Sequence, residues 1–162
     1  MSDFQDLASA SVGNGSVNTL REVVPPAENL LLGTIAGALG MALGTAVWVG
    51  ITLATNYQIG YMAVGVGFLV GLAMRFAGKG RSQIFAVVGA VLSLLGCALG
   101  NLFTGCAILA RESEVGFGEV LAQLNAPLVG EIMSVMFSPM DLLFYALGAW
   151  AGWKHSVIRE LV

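Results

Sequence analysis

The chain has 162 residues, 57% of them hydrophobic and only 10% charged, with a formal net charge of −3. A soluble domain carries about 25% charged residues, so a water-facing surface is excluded and the class is integral membrane, with room for about four spans of ~20 residues. The acidic balance argues against nucleic acid, which asks for a basic patch.

Residues 1–28 are polar and rich in small residues, from Ser11 to Ser16 most of all. They read as a flexible cytosolic tail with a weak helix at 4–8. No apolar core or basic leader precedes residue 30, so no cleaved signal peptide is expected. Pro25 and Pro26 end the tail, and a transmembrane domain over 29–158 follows. Its first span, 29–55, carries no charge, and Glu28 at its start is expected to pair with Arg75 or Lys154. A short link makes the second span, 58–76, the other arm of a helical hairpin. Arg75, Lys79 and Arg81 close that span, with Gly78 and Gly80 forming the turn. The third span, 82–110, is overlong, and Gly105 is where it should bend or end.

The segment 111–138 is an outer interfacial stretch. It holds two short amphipathic pieces, 117–124 and 127–137, too short to span and expected to lie in the interface or fold back. In the second piece Leu128, Ile132, Val135 and Met136 share a face. Ser138, Pro139 and Asp141 then spell a helix start: cap, first position, acid in the first turn. The fourth span is 139–157. Four spans put both termini on one side with the loop between spans two and three. That side collects Arg21, Arg75, Lys79, Arg81, Lys154 and Arg159, six of the seven basic residues, with Arg111 opposite. The positive-inside rule therefore places both termini in the cytosol. The expected fold is all-α: four transmembrane helices, N-in and C-in.

Each span carries at least one Gly-x-x-x-Gly: Gly33/Gly37, Gly40/Gly44, Gly67/Gly71, Gly96/Gly100 and Gly148/Gly152. Glycines four apart leave a groove that lets two helix backbones approach closely. The repeats form stripes that serve as inner seams of a bundle, and four stripes exceed what one small bundle needs, which points to a homo-oligomer. The fourth stripe differs, because Asp141, Tyr145 and His155 share it with Gly148 and Gly152.

Polar candidates are few. Asp141 suits the positive end of its helix dipole, and Glu131 lies just before it in sequence. Asn101 reads as an interhelical hydrogen-bonder worth about 0.6–2 kcal/mol. Cys97 and Cys106 are nine apart, on roughly opposite faces, and form no internal disulfide. One histidine cannot build a histidine-rich metal site, and no catalytic triad, phosphate loop or dinucleotide fingerprint is present. No catalytic residue, metal or cofactor is expected.

The stretches Tyr57–Gly71, Leu95–Leu102 and Ser138–Tyr145 are similar to those of a recurring, uncharacterised group of small bacterial membrane proteins with several spans. The resemblance covers residues 40–155. It implies bacterial origin and weight on the Asp141–Tyr145 segment, and it implies no activity. The leading expectation is a self-associating inner-membrane protein with a structural or interaction role and no enzyme activity. The alternative is a passive pore or transporter for ions or small solutes with Asp141 near its outer mouth.

Overall fold

The computed structural model describes residues 27–57 and 60–158, so most of the expected tail and its weak helix lie outside it. The described residues form six helices and no strand: α1 (Leu30–Thr55), α2 (Tyr61–Gly78), α3 (Gln83–Glu112), α4 (Phe117–Ala122), α5 (Ala126–Met136) and α6 (Pro139–His155). Helices α1, α2 and α3 are long and apolar enough to cross a membrane. Helix α6 has 17 residues and rises about 25 Å, short of a hydrocarbon core of about 30 Å. It meets α5 at 97°, and only the bent pair taken as one element reaches the length of a fourth crossing.

Helix α1 starts where the Asn29 side chain accepts from Leu32 N at 3.0 Å. It ends at Asn56, whose φ of 53° is the left-handed conformation that asparagine tolerates well. The turn after α2 holds Gly78 and Gly80 on either side of Lys79. Its left-handed residue is Lys79, with φ 49°, and neither flanking glycine has a positive φ. Gly78 and Gly80 provide room instead: a Cβ on either would run into the Phe85 ring, and one on Gly78 would also stand 2.9 Å from Gly33 Cα.

Helix α1 packs on α2 and α3, and α6 packs on the same two, while α1 and α6 do not touch. The bundle is thus a rhombus with α2 and α3 across its short diagonal. Its core gathers Trp48, Val66, Val70, Met74, Phe85 and Cys97. Helix α3 runs on through Gly105 without ending, because that glycine makes room for Ile132 and Met136 of α5. Leu128, Ile132 and Met136 pack there with Cys106 and Ala110 in a second, smaller core, whereas Val135 is 72% exposed. Helices α4 and α5 rest on α3 alone.

All ten glycines of the five pairs are buried against neighbours in the same chain. On α1, Gly33 faces Phe85, Gly37 faces Met74 and Leu92, Gly40 faces the Leu69 carbonyl, and Gly44 faces Val66. Gly67 and Gly148 meet backbone to backbone, Gly71 faces His155, and Gly152 faces Ser93 and the Gly89 carbonyl. Gly96 takes Val66 and Met41, and Gly100 takes the Trp48 ring. The large apolar side chains lie outside: Leu31, Ile35, Leu39, Leu43 and Val47, four residues apart, form an exposed stripe down α1.

At the basic end the α2–α3 turn holds both neighbouring chain segments. Asn29 N donates to Gly78 O at 3.0 Å, and Ile158 N donates to Gly80 O at 2.8 Å. Glu28, expected to pair with Arg75 or Lys154, instead accepts from Arg81 N at 2.7 Å and Ser82 N at 2.9 Å. It caps the start of α3 from a distant part of the chain, where unpaired N–H groups need an acceptor. The Ser82 side chain contributes most to holding its carboxyl below the ordinary range, and the Arg81 and Ser82 backbone bonds add to this against a desolvation effect of opposite sign.

Gly67→Ala places a Cβ against the Gly148 carbonyl, which no rotamer change relieves, and should cost about 1–3 kcal/mol. Gly65→Ala, two residues away with nothing within 4 Å, should be neutral or gain up to about 1 kcal/mol of helix propensity. Unfolding midpoints of the two variants in detergent check this. Because the folded-state pKa of Glu28 is depressed, its capping is complete above the unfolded value of about 4.3 and fades as pH falls through the lower folded value. Lowering pH from 6 to 3 should therefore destabilise the wild type more than Glu28→Gln, as read by thermal unfolding at each pH.

Candidate functional site

Asp141 serves its own helix. With Ser138 it forms a capping box: Asp141 Oδ2 accepts from Ser138 N at 2.8 Å, and Ser138 Oγ accepts from Met140 N at 3.4 Å. The carboxylate is 6% exposed, and this bond together with the N-terminal end of the helix dipole compensates its burial. One turn on, Tyr145 reaches across to α3. Its hydroxyl accepts from Asn101 Nδ2 at 2.9 Å and donates to the Cys97 carbonyl at 3.1 Å. The Phe137 ring meets Tyr145 edge-on, 5.9 Å between centroids. The structure therefore joins Asn101 and Tyr145 in one buried polar contact.

Glu131 stands elsewhere. It is exposed on α5 and lines a cavity of about 280 Å³ between α3 and α5 with Glu112. No hydrogen bond links it to Asp141, since α5 turns away from α6 at the 97° bend. His155 packs edge-on against Phe68 with centroids 4.9 Å apart. Cys97 and Cys106 are both buried and free. Among the described residues no three of His, Cys, Asp and Glu converge as a metal site would require.

A further polar group lies where α1 meets α3. Trp48 Nε1, Thr52 Oγ1 and Thr104 Oγ1 are buried with no hydrogen-bond partner. They share one level: Trp48 rests on Gly100, and Thr52 and Thr104 each follow by one turn. Ordinary hydroxyls in these helices donate to their own i−4 carbonyl, as Thr55 does to Ile51 O at 2.8 Å and Ser93 does to Gly89 O at 2.7 Å. Each unpaired group costs about 1–3 kcal/mol. The sequence carries a signal for it: Thr45, Trp48, Thr52 and Asn56 recur every three or four residues along α1 and its C-cap, as Asn101 and Thr104 do in α3.

Above that level a cleft of about 560 Å³ opens between the ends of α1 and α3, lined by Thr52, Leu53, Asn56, Ile108, Arg111 and Glu112. Arg111 Nη1 donates to Asn56 Oδ1 at 3.2 Å, tying the two helix ends together. A mostly apolar groove of about 480 Å³ lies deeper between the same helices.

No protein-family profile matches the chain, and no curated protein or solved structure is significantly similar to it.

Tyr145→Phe should test the Asn101 contact. It removes the acceptor for Asn101 and the donor to Cys97 O while keeping the ring, and should lower stability by about 1–2 kcal/mol. Tyr57→Phe, at a side chain 75% exposed, should leave the detergent unfolding midpoint unchanged.

Proposed function

We propose that the chain is a multi-pass protein of the bacterial inner membrane with a structural or interaction role and no catalytic chemistry. In this reading the bent α5–α6 pair provides the fourth crossing, and the basic end, with both termini, faces the cytosol. The observation that carries the role is the closeness of packing among α2, α3 and α6. Gly67 lies against Gly148, Gly89 against Ser156 and Gly152, and Gly96 against Val66. Backbones at that distance leave no room for a solute between these helices, which favours a rigid platform over a conduit. Asp141, the acid a pore would use at its mouth, is engaged in a cap.

Self-association belongs to the same proposal in a narrower form. The paired glycines are covered from within one protomer, so copies would meet through apolar surfaces that remain exposed, such as the Leu31–Val47 stripe of α1.

Reconstitution tests both parts. Vesicles holding folded, oriented protein should stay tight to small ions and neutral solutes. A flux abolished by Asp141→Ala would replace the structural reading with the pore. Photobleaching-step counts in native-lipid vesicles should show more than one copy per particle, and monomers throughout would remove self-association and leave the rest.

A further inference from the structure

Helices α1 and α3 run side by side, touching at Gly37 with Leu92, Thr45 with Gly96 and Trp48 with Gly100. Past Trp48 that contact gives way to the cleft described above. Three features of the cleft point to an occupant. Thr52 is 4% exposed and lines the cleft, with its hydroxyl unpartnered. At the rim, Arg111 and Glu112 are adjacent charges of opposite sign, and among the described residues neither forms an ion pair. The deeper apolar groove, bordered by Val49, Leu99, Phe103 and Phe117, follows the cleft along one α1 stripe, on which Thr45 and Val49 line the groove and Thr52 and Asn56 line the cleft. That stripe covers about 16 Å of helix.

A ligand suited to this arrangement needs an anionic group for the Arg111 guanidinium and a cationic group close by for Glu112. It also needs an oxygen to accept from Thr52 and a long apolar chain to follow the groove. We propose that the cleft binds a zwitterionic phospholipid of the surrounding bilayer, one with a phosphoamine headgroup. Its phosphate lies on Arg111, where a guanidinium offers paired donors to phosphate oxygens, and its ammonium lies on Glu112. A glycerol or ester oxygen accepts from Thr52, and an acyl chain occupies the groove between α1 and α3. The inference rests on the chain lying in a membrane and not on its structural role.

Native mass spectrometry of the purified full chain tests this, with the protein in mixed micelles holding equal phosphatidylethanolamine and phosphatidylglycerol. The wild type should retain phosphatidylethanolamine preferentially. Arg111→Gln should reduce that retention by roughly tenfold, the scale of one charge-assisted hydrogen bond. Glu112→Gln should abolish the preference over phosphatidylglycerol, and Thr52→Val should weaken retention while keeping side-chain shape. Glu119→Gln, on exposed α4, should change nothing, and unchanged far-UV circular dichroism should show that all four variants are folded. Equal retention of both lipids, preference for the anionic one, or indifference to both rim variants would overturn the proposal. Displacement of bound lipid by soluble glycerophosphoethanolamine at equal concentration would also overturn it, since a free headgroup and not a lipid would then be the occupant.

Discussion

A bilayer gives helices no reason to bury leucine against leucine, because the lipid tails are as apolar as the side chains they would replace. What remains is contact between surfaces that fit, and glycine provides it by bringing backbones within van der Waals range. The chain follows that constraint by inverting the soluble pattern. Along α1, Gly33, Gly37, Gly40 and Gly44 face inward, while Leu31, Ile35, Leu39 and Leu43 face out. The large residues of the core are those that fill what the glycines leave: Trp48 on Gly100, Met74 on Gly37, Phe85 on Gly33 and Gly78. Each pairs one bulky side chain with one absent side chain, so neither member can change size alone.

Close packing also decides where polar groups go. A hydroxyl in a tight seam finds a carbonyl within reach, as Thr45 does at Gly96 O, 3.2 Å away. Tyr145 reaches from α6 to α3 and finds both a donor and an acceptor there. Past Gly100 the hydroxyls of Thr52 and Thr104 are buried without a partner. That lack of partners sets the level apart from Thr55 and Ser93, which take the carbonyl four residues back. It makes the junction of α1 and α3 the place where a polar ligand would be best rewarded.

The all-helical class, the limits of the three long helices within a few residues and the Ser138–Asp141 start were legible in the sequence. Hydropathy, proline and capping residues act locally, and local signals survive without knowledge of the tertiary fold. Three details turn on one shared cause. Gly105 marks where α3 is expected to bend or end, Gly78 and Gly80 are expected to form the turn after α2, and Glu28 is expected to pair with a basic side chain. In each case a partner remote in sequence decides: Ile132 needs the space at Gly105, Phe85 needs it at Gly78 and Gly80, and the uncapped start of α3 needs the Glu28 carboxylate. Small residues announce that something will approach, without saying what. The Asn101–Tyr145 contact is half legible: an asparagine in an apolar run predicts an interhelical hydrogen bond, but nothing local names a partner 44 positions away.

Helix α3 carries the consequences of all this. Its 30 residues rise about 45 Å, more than a hydrocarbon core of about 30 Å requires. Its lower two thirds close the rhombus with α1, α2 and α6. Its last turns support α4 and α5 at Gly105, Cys106 and Ala110, and those two helices pack on no other. Gly105 marks the change of duty, lying just beyond the last contact with Trp48 and opposite Ile132. An element shared between a tight bundle and a lightly attached cap must pass through a level where neither set of neighbours is complete. In this chain that level holds Thr104, Thr52 and the cleft under Arg111. The gap in packing and the polar groups that line it thus have one origin in the length of a single helix.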